Sequence, residues 1–239
     1  MKNLILTSAL IALTAGAAAA QTVRMGTEGA YPPYNFINDK GEVDGYEREL
    51  GDELCARAKL TCEWVTSDWD GIIPNLQSGN YDTIIAGMSI TAERAKVIDF
   101  TQNYIPPASS AYMALDAGVD VTGVIAAQTG TIQAGYVQES GATLVEYATP
   151  DETVAAVRNG EADAVFADKD YLAPILAESG GKFVWAGKEV QLGDGVGMGL
   201  RQSDTVLRDK FDAAITSMKA DGSLNKLIVK WFGDSVATY

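Results

Sequence analysis

Residues Asp82 to Phe100 read D-T-I-I-A-G-M-S-I-T-A-E-R-A-K-V-I-D-F. Thr83-Ile84-Ile85-Ala86 is β-branched and apolar, the pattern of a short buried strand. Gly87 breaks it. Ser89 and Thr91 place hydroxyls where helices start, so a helix is expected after Thr91 with Arg94 in its first turn. A cation at that end is disfavoured by about 0.3–1 kcal/mol, because a helix N-terminus carries partial positive charge. The same end, with its free amides, attracts an anion. An arginine there makes sense if it helps hold a carboxylate by a two-pronged hydrogen bond. A solvated surface arginine is the alternative, and this stretch alone leaves the two open.

Working outward, residues 1–20 read as a secretory signal. Lys2 gives the positive start, Leu4 to Ala15 the apolar run, and Ala18-Ala19-Ala20 a small-residue cleavage site before Gln21. The stretch is too short and too poor in flanking charge for a membrane span. It holds no cysteine, which argues against a lipid anchor. An exported, soluble periplasmic chain is expected. Removing 20 of the 239 residues leaves about 219, enough for one large domain or two lobes.

The formal charge is −14, which disfavours a nucleic-acid partner. The absence of histidine removes imidazole metal sites and the Ser-His-Asp and Cys-His nucleophile systems. No metal and no cofactor are expected. Cys55 and Cys62 are the whole cysteine complement. In an exported chain they read as a local disulfide. A redox pair is the functional alternative, but the spacing is not C-x-x-C.

In order, the chain reads as strand 23–27, a loop with Pro32-Pro33, a turn at Asn38–Gly41, a helix after Gly45-Tyr46, strand 61–66, and a short helix that Asp70 can cap. The opening stretch follows. This β/α alternation predicts a mostly parallel sheet with helices on both faces. Ser109–Met113 reads as a crossing strand. A second alternation has strands at 124–127, 143–147, 164–167 and 183–186, with helices through Ser140, from Pro150, and around Leu172, Ile175 and Leu176. Gly193 to Leu200 carries four glycines in eight residues. It lacks the order of a phosphate loop and reads as a flexible strand crossing back. Two helices close the chain. The two crossings imply a discontinuous first lobe, 21–110 with 194–239, and an inserted second lobe, 111–193. Ligands of such sheets sit beyond the carboxyl ends of the strands.

Five segments, in this order and spacing, resemble the periplasmic amino-acid-binding proteins of ABC importers (bacterial solute-binding family 3). They are G-T-E-G-A-Y-P-P-Y-N-F (26–36), D-G-Y-E-R-E-L (44–50), S-D-W-D-G-I-I-P-N-L (67–76), Y-D-T-I-I-A-G-M-S-I-T-A-E-R (81–94) and G-D-G-V-G-M-G-L-R (193–201). The resemblance implies an α/β fold of two Rossmann-like lobes joined by two crossing strands, of the type II periplasmic-binding-protein kind, closing like a hinge on a ligand. It implies a small amino-acid ligand, a permease of the inner membrane as partner, no catalysis, and a monomer. The Cys55/Cys62 spacing also resembles the disulfide of the basic-amino-acid binders.

Carried over by position, Arg94 would pair with the ligand α-carboxylate, with Ser89 and backbone amides near Gly87 and Thr131. Asp168 would accept the α-ammonium. Tyr31 and Trp69 would flank the ligand side chain, and Glu28 would meet a side-chain cation. Aromatic faces suit the stem of lysine or the guanidinium of arginine. The implied ligand is a polar or cationic L-amino acid such as arginine, ornithine, lysine or glutamine. A derivative such as an opine, or a periplasmic dehydratase of the cyclohexadienyl type, is the alternative. Bland readings stand beside these: Asp168 as a helix cap, Trp69 as core, and Tyr34, Phe36 and Tyr46 as packing. The chain departs from the pattern at Gly87 and Ile132, where relatives carry hydroxyls. A small helix is missing between Leu115 and Val124.

Overall fold

The computed structural model describes residues 22–234 and 236–239. The signal sequence expected at 1–20 lies outside the described residues.

Strand β1 (Val23–Thr27) lies inside the first of two five-stranded sheets. The chain next forms a small sheet of β2 (Ala30–Tyr31), β3 (Asn35–Ile37) and β4 (Val43–Asp44), then α1 (Tyr46–Ala58). Strand β5 (Cys62–Thr66) pairs parallel to β1, and after α2 (Ile72–Gln77) so does β6 (Thr83–Ile84). Strand β7 (Asp99–Ile105) ends at the first crossing, and β8 (Ser109–Ala114) already belongs to the second sheet.

That sheet runs on through β9 (Val124–Gln128), α3 (Ile132–Ser140), β10 (Thr143–Tyr147), α4 (Pro150–Arg158), β11 (Ala164–Asp168), α5 (Lys169–Glu178) and β12 (Val184–Gln191). Its order is β10-β9-β11-β8-β12. The chain returns to the first sheet as β13 (Val196–Leu200) and closes with α6 (Thr205–Asp221) and α7 (Ser223–Phe232). The first sheet has the order β5-β1-β6-β13-β7. The three β/α strands of each sheet are parallel, and the crossing strands β8 and β13 run antiparallel to them.

Alternation along the strands explains the layers. Ile84 faces Ile72, Leu76 and Ile98, while the next residue, Ile85, joins Leu50, Leu54 and Phe211 on the opposite face. In the second sheet Ile125 packs with Val137 of α3, and Ala126 joins Val154 and Leu172. Helices therefore cover both faces, as the β/α rhythm predicts.

Several expectations need correction. The helix expected after Thr91 is one 3-10 turn, Arg94–Lys96. Ser89 pairs with Val196, and the Ile90 amide donates to the Gly195 carbonyl, so the backbone stays extended. Too few residues then remain before β7 for a longer helix. Thr91 still caps the turn, its Oγ1 accepting from the Arg94 amide at 3.2 Å. Arg94 thus stands at no long-helix dipole, and the case for it rests on its surroundings. Asp70 caps nothing. It lies within a 3-10 turn, Trp69–Gly71, that precedes α2. The return crossing leads into β13, all of which is buried. Its glycines serve close packing: at Gly195 (φ +86°) a Cβ would stand 2.5 Å from the Ile105 carbonyl oxygen. The small sheet went unrecognised, its strands being too short to show alternation.

Cys55 and Cys62 form a disulfide with Cα atoms 6.3 Å apart, tying the end of α1 to the start of β5. Replacing both by alanine should cost about 2–3 kcal/mol, the loop-closure value for so short a loop. Urea denaturation of the oxidised parent and the double variant measures it, and coincident midpoints would contradict the assignment.

Candidate functional site

A cavity lies between the two sheets and is lined by residues of both lobes. All eight residues singled out from the sequence line it: Glu28, Tyr31, Trp69, Gly87, Ser89, Arg94, Thr131 and Asp168. Their placement follows from the parallel strands. Glu28 and Tyr31 follow the carboxyl end of β1, Trp69 that of β5, and Gly87 to Arg94 that of β6. Asp168 is the last residue of β11. These are the strand ends where α/β sheets bind ligands.

The Arg94 guanidinium lies 5.4 Å from the centre of the Trp69 ring. It donates to the Ser89 carbonyl at 2.9 Å and, more weakly, to the Gly130 carbonyl at 3.4 Å. Among the described residues it makes no ion pair within 4.0 Å. Burial lowers its pKa to about 10, opposed by the field of Asp168. Neither the solvated-surface reading of Arg94 nor a purely core reading of Trp69 fits this arrangement.

Asp168 begins α5 but does not cap it with its side chain. Its Oδ2 accepts from the Tyr31 hydroxyl at 2.8 Å and its Oδ1 from the Gln133 amide at 2.8 Å. Burial, which disfavours the anion, raises its pKa to about 6, against the pull of Tyr31, Arg94 and Gln133. Tyr31 is fixed from behind by stacking on Tyr171, with centroids 4.3 Å apart. Glu28 accepts from the Gln128 amide at 2.6 Å. Its pKa rises to about 7, chiefly through burial, with Asp68 and Glu47 acting in the same direction.

Thr131 is the N-cap of α3 and accepts from the Ala134 amide at 3.1 Å. The first amides of that helix, at Ile132 and Gln133, have no acceptor within the helix and border the cavity. The expectation for Gly87 needs correction. Its amide is already committed, donating to Glu47 Oε1 at 2.7 Å. What Gly87 supplies is a left-handed turn (φ +62°).

Sequence reading missed the donors Gln128 and Gln133 and the buried acid Glu47. Gln128 ends β9 and Gln133 opens α3, so their position at a strand end and a helix start was the available signal. Glu47 looks like an ordinary first-turn acid of α1. Tyr34, Phe36 and Tyr46 pack against Phe232 or Trp231, as their packing reading expects.

The family profile of bacterial extracellular solute-binding proteins, family 3, matches residues 23–234. The chain belongs to this family. It is 31% identical over 258 residues to the lysine/arginine/ornithine-binding periplasmic protein of Escherichia coli (strain K12), covering 98% of each chain. A solved structure of a periplasmic His/Glu/Gln/Arg/opine family-binding protein from Silicibacter pomeroyi, in complex with lysine, is similar with a TM-score of 0.91. The identity is 75%, over 91% of this chain and 100% of the other. An ancestral amino acid-binding protein that is a precursor of cyclohexadienyl dehydratase shares the fold, with a TM-score of 0.79 and 28% identity over 88% and 95% of the two chains. Two Rossmann-like lobes joined by two crossings are thus the architecture of this family 3 member. Among the described residues no helix is long and apolar enough to cross a membrane.

The raised carboxyls make a signature in the ligand-free protein. An acid whose folded pKa exceeds its unfolded value binds its proton more tightly when folded. Its contribution to stability is present at low pH and lost as pH rises through the folded value. For Asp168 and Glu28 that window runs from about 4, the unfolded range, up to about 6 and about 7. Glu47 and Asp170 are raised too, so the test is a difference. Melting temperatures from pH 4.5 to 8 should fall less steeply for Asp168→Asn with Glu28→Gln than for the parent. Parallel curves would contradict the site electrostatics.

Proposed function

We propose that this protein is the periplasmic solute-binding component of an ABC importer, and that the cavity takes a cationic or polar L-amino acid of the arginine, lysine, ornithine or glutamine kind. The observation that carries the reading is the pairing of Arg94, without an anionic partner among the described residues, with Asp168 held ready by two neutral donors. A zwitterion needs one fixed cation and one fixed anion, held apart so that they do not neutralise each other. Arg94 and the opening amides of α3 would receive the α-carboxylate. Asp168 would receive the α-ammonium, which favours its ionised form. Trp69 and Tyr31 would flank the stem of the side chain, and Glu28 would meet its cation.

The bodies that close are lobe 1 (21–110 with 194–239) and lobe 2 (111–193), to within the few residues of the crossings. An inner-membrane permease would receive the loaded protein, which acts as a monomer without cofactor. The similarity to a lysine/arginine/ornithine-binding protein and to a structure in complex with lysine supports the cationic class.

A second reading has one observation in its favour. A cavity acid with a pKa of about 7, Glu28, suits general acid catalysis, and the dehydratase precursor shares the fold. Two charged ends for an α-amino acid favour binding over turnover. Release of product from prephenate or arogenate by pure protein would reverse that ranking.

A thermal-shift screen over the amino acids tests the binding reading. A ligand at about 100 times its dissociation constant adds about 2.7 kcal/mol of stability. Arg94→Ala should weaken calorimetric binding by about 100-fold or more while the fold is kept, since an anchored carboxylate would lose its charged donor. Undiminished affinity in that variant would contradict the site.

A further inference from the structure

Gln128 is the last residue of β9, in lobe 2, and is 7% exposed. Its amide nitrogen donates at 2.6 Å to Oε1 of Glu28, which follows β1 in lobe 1. The same nitrogen donates at 3.1 Å to the Ala148 carbonyl. Two acceptors on one NH2 group fix which way the amide faces. Among the described residues, Gln128 is the sole hydrogen-bond donor to Glu28, and Oε2 of Glu28 has no partner.

We propose that Gln128 is a specificity-determining positioning residue: reaching from lobe 2, it holds Glu28 of lobe 1 as the anion that receives a ligand's distal cation. This rests on the amino-acid reading above. The bond joins residues of different lobes, so it exists only when they are together. Recognition of a cationic side chain and closure are thereby coupled.

The electrostatics around Glu28 agree. Burial and the acids Asp68 and Glu47 all disfavour its anion, and the Gln128 bond is the opposing influence. Arg94, Asp168, Tyr31 and Gln133 line the same cavity, and Tyr171 stands behind Tyr31. Arg94 and Asp168 would be engaged at the α-end of the ligand. A neutral side chain needs no anion at Glu28, so glutamine should be nearly indifferent to the Gln128 donor. A merely structural role for Gln128, bracing the Ala148 loop, would affect all ligands alike.

The test is Gln128→Met, which keeps length and loses the donor, with Gln128→Leu as a second variant should the first fold poorly. Lysine and glutamine affinities are measured by calorimetry or by displacement, from pH 5.5 to 8.5. The expected result is a loss of about tenfold for lysine with little change for glutamine, the size of one hydrogen bond to a charged group. The pH at which lysine affinity is half lost should also rise by about one unit. Equal losses for both ligands, or an unmoved pH profile, would overturn the inference. A parent chain that binds no amino acid would instead be a failure of the amino-acid reading itself.

Discussion

The buried carboxylate of Glu47 is the interaction on which the site depends. It lies at the first turn of α1 with no exposed surface. One oxygen accepts from the Gly87 amide at 2.7 Å and from the Tyr104 hydroxyl. The other accepts from the Asn35 side-chain amide at 2.7 Å. Asn35 in turn accepts from the Gly29 amide at 2.7 Å. A single acid thus fixes the Gly87 turn that leads to Ser89 and Arg94. Through Asn35 it fixes the loop that carries Glu28 and Tyr31. Tyr104 belongs to β7, which runs into the first crossing, so the same carboxylate links that strand to the cavity wall. Burial raises the pKa of Glu47, and these three bonds oppose the rise. Loss of the carboxylate would strand several buried donors at once, each costing about 1–3 kcal/mol.

The rest of the site is an arrangement of charges kept short of neutralising one another. Arg94 is steadied by the Trp69 ring and by carbonyls, not by an acid. Asp168 is steadied by a phenol and an amide, not by a base. Neutral partners orient a charged group without consuming its charge, and so leave it free to pair with a zwitterion. In a half-buried cavity such pairing is worth more than in water, and a mismatched ligand leaves a costly unpaired charge. Among the described residues and away from the crossing strands, three hydrogen bonds join the lobes: Tyr31 to Asp168, Gln128 to Glu28, and Arg94 to the Gly130 carbonyl. All three involve residues of the proposed site, which ties closure to the groups that recognise the ligand.

The layers of the fold were legible because they rest on local pattern. The apolar runs at β9, β10 and β11, the Pro150 start of α4 and the faces of α6 and α7 announce themselves in a few residues. The helix expected after Thr91 was misread because the capping signal was real but the space was not. Ser89 and Ile90 are held extended by residues 195–196, about a hundred positions away in sequence. The charged members of the site, Arg94, Asp168 and Glu28, were found through strand ends and family resemblance. Gln128, Gln133 and Glu47 were missed because their partners are distant: a strand end marks where Gln128 sits, but only the fold brings it against Glu28, a hundred residues away. Glu47 is disguised further by standing where a helix welcomes an acid for its dipole alone.

In the proposed binding mode Arg94 and its neighbours grip an α-carboxylate, while Asp168 and Glu28 take the two ammonium groups of lysine. Calorimetric titration with lysine and with its decarboxylated form, 1,5-diaminopentane, separates these contributions directly. Saturable binding of lysine is expected, with a loss of about 100-fold or more for the diamine, whose missing carboxylate leaves Arg94 unpaired. Comparable affinity for the two compounds would contradict it.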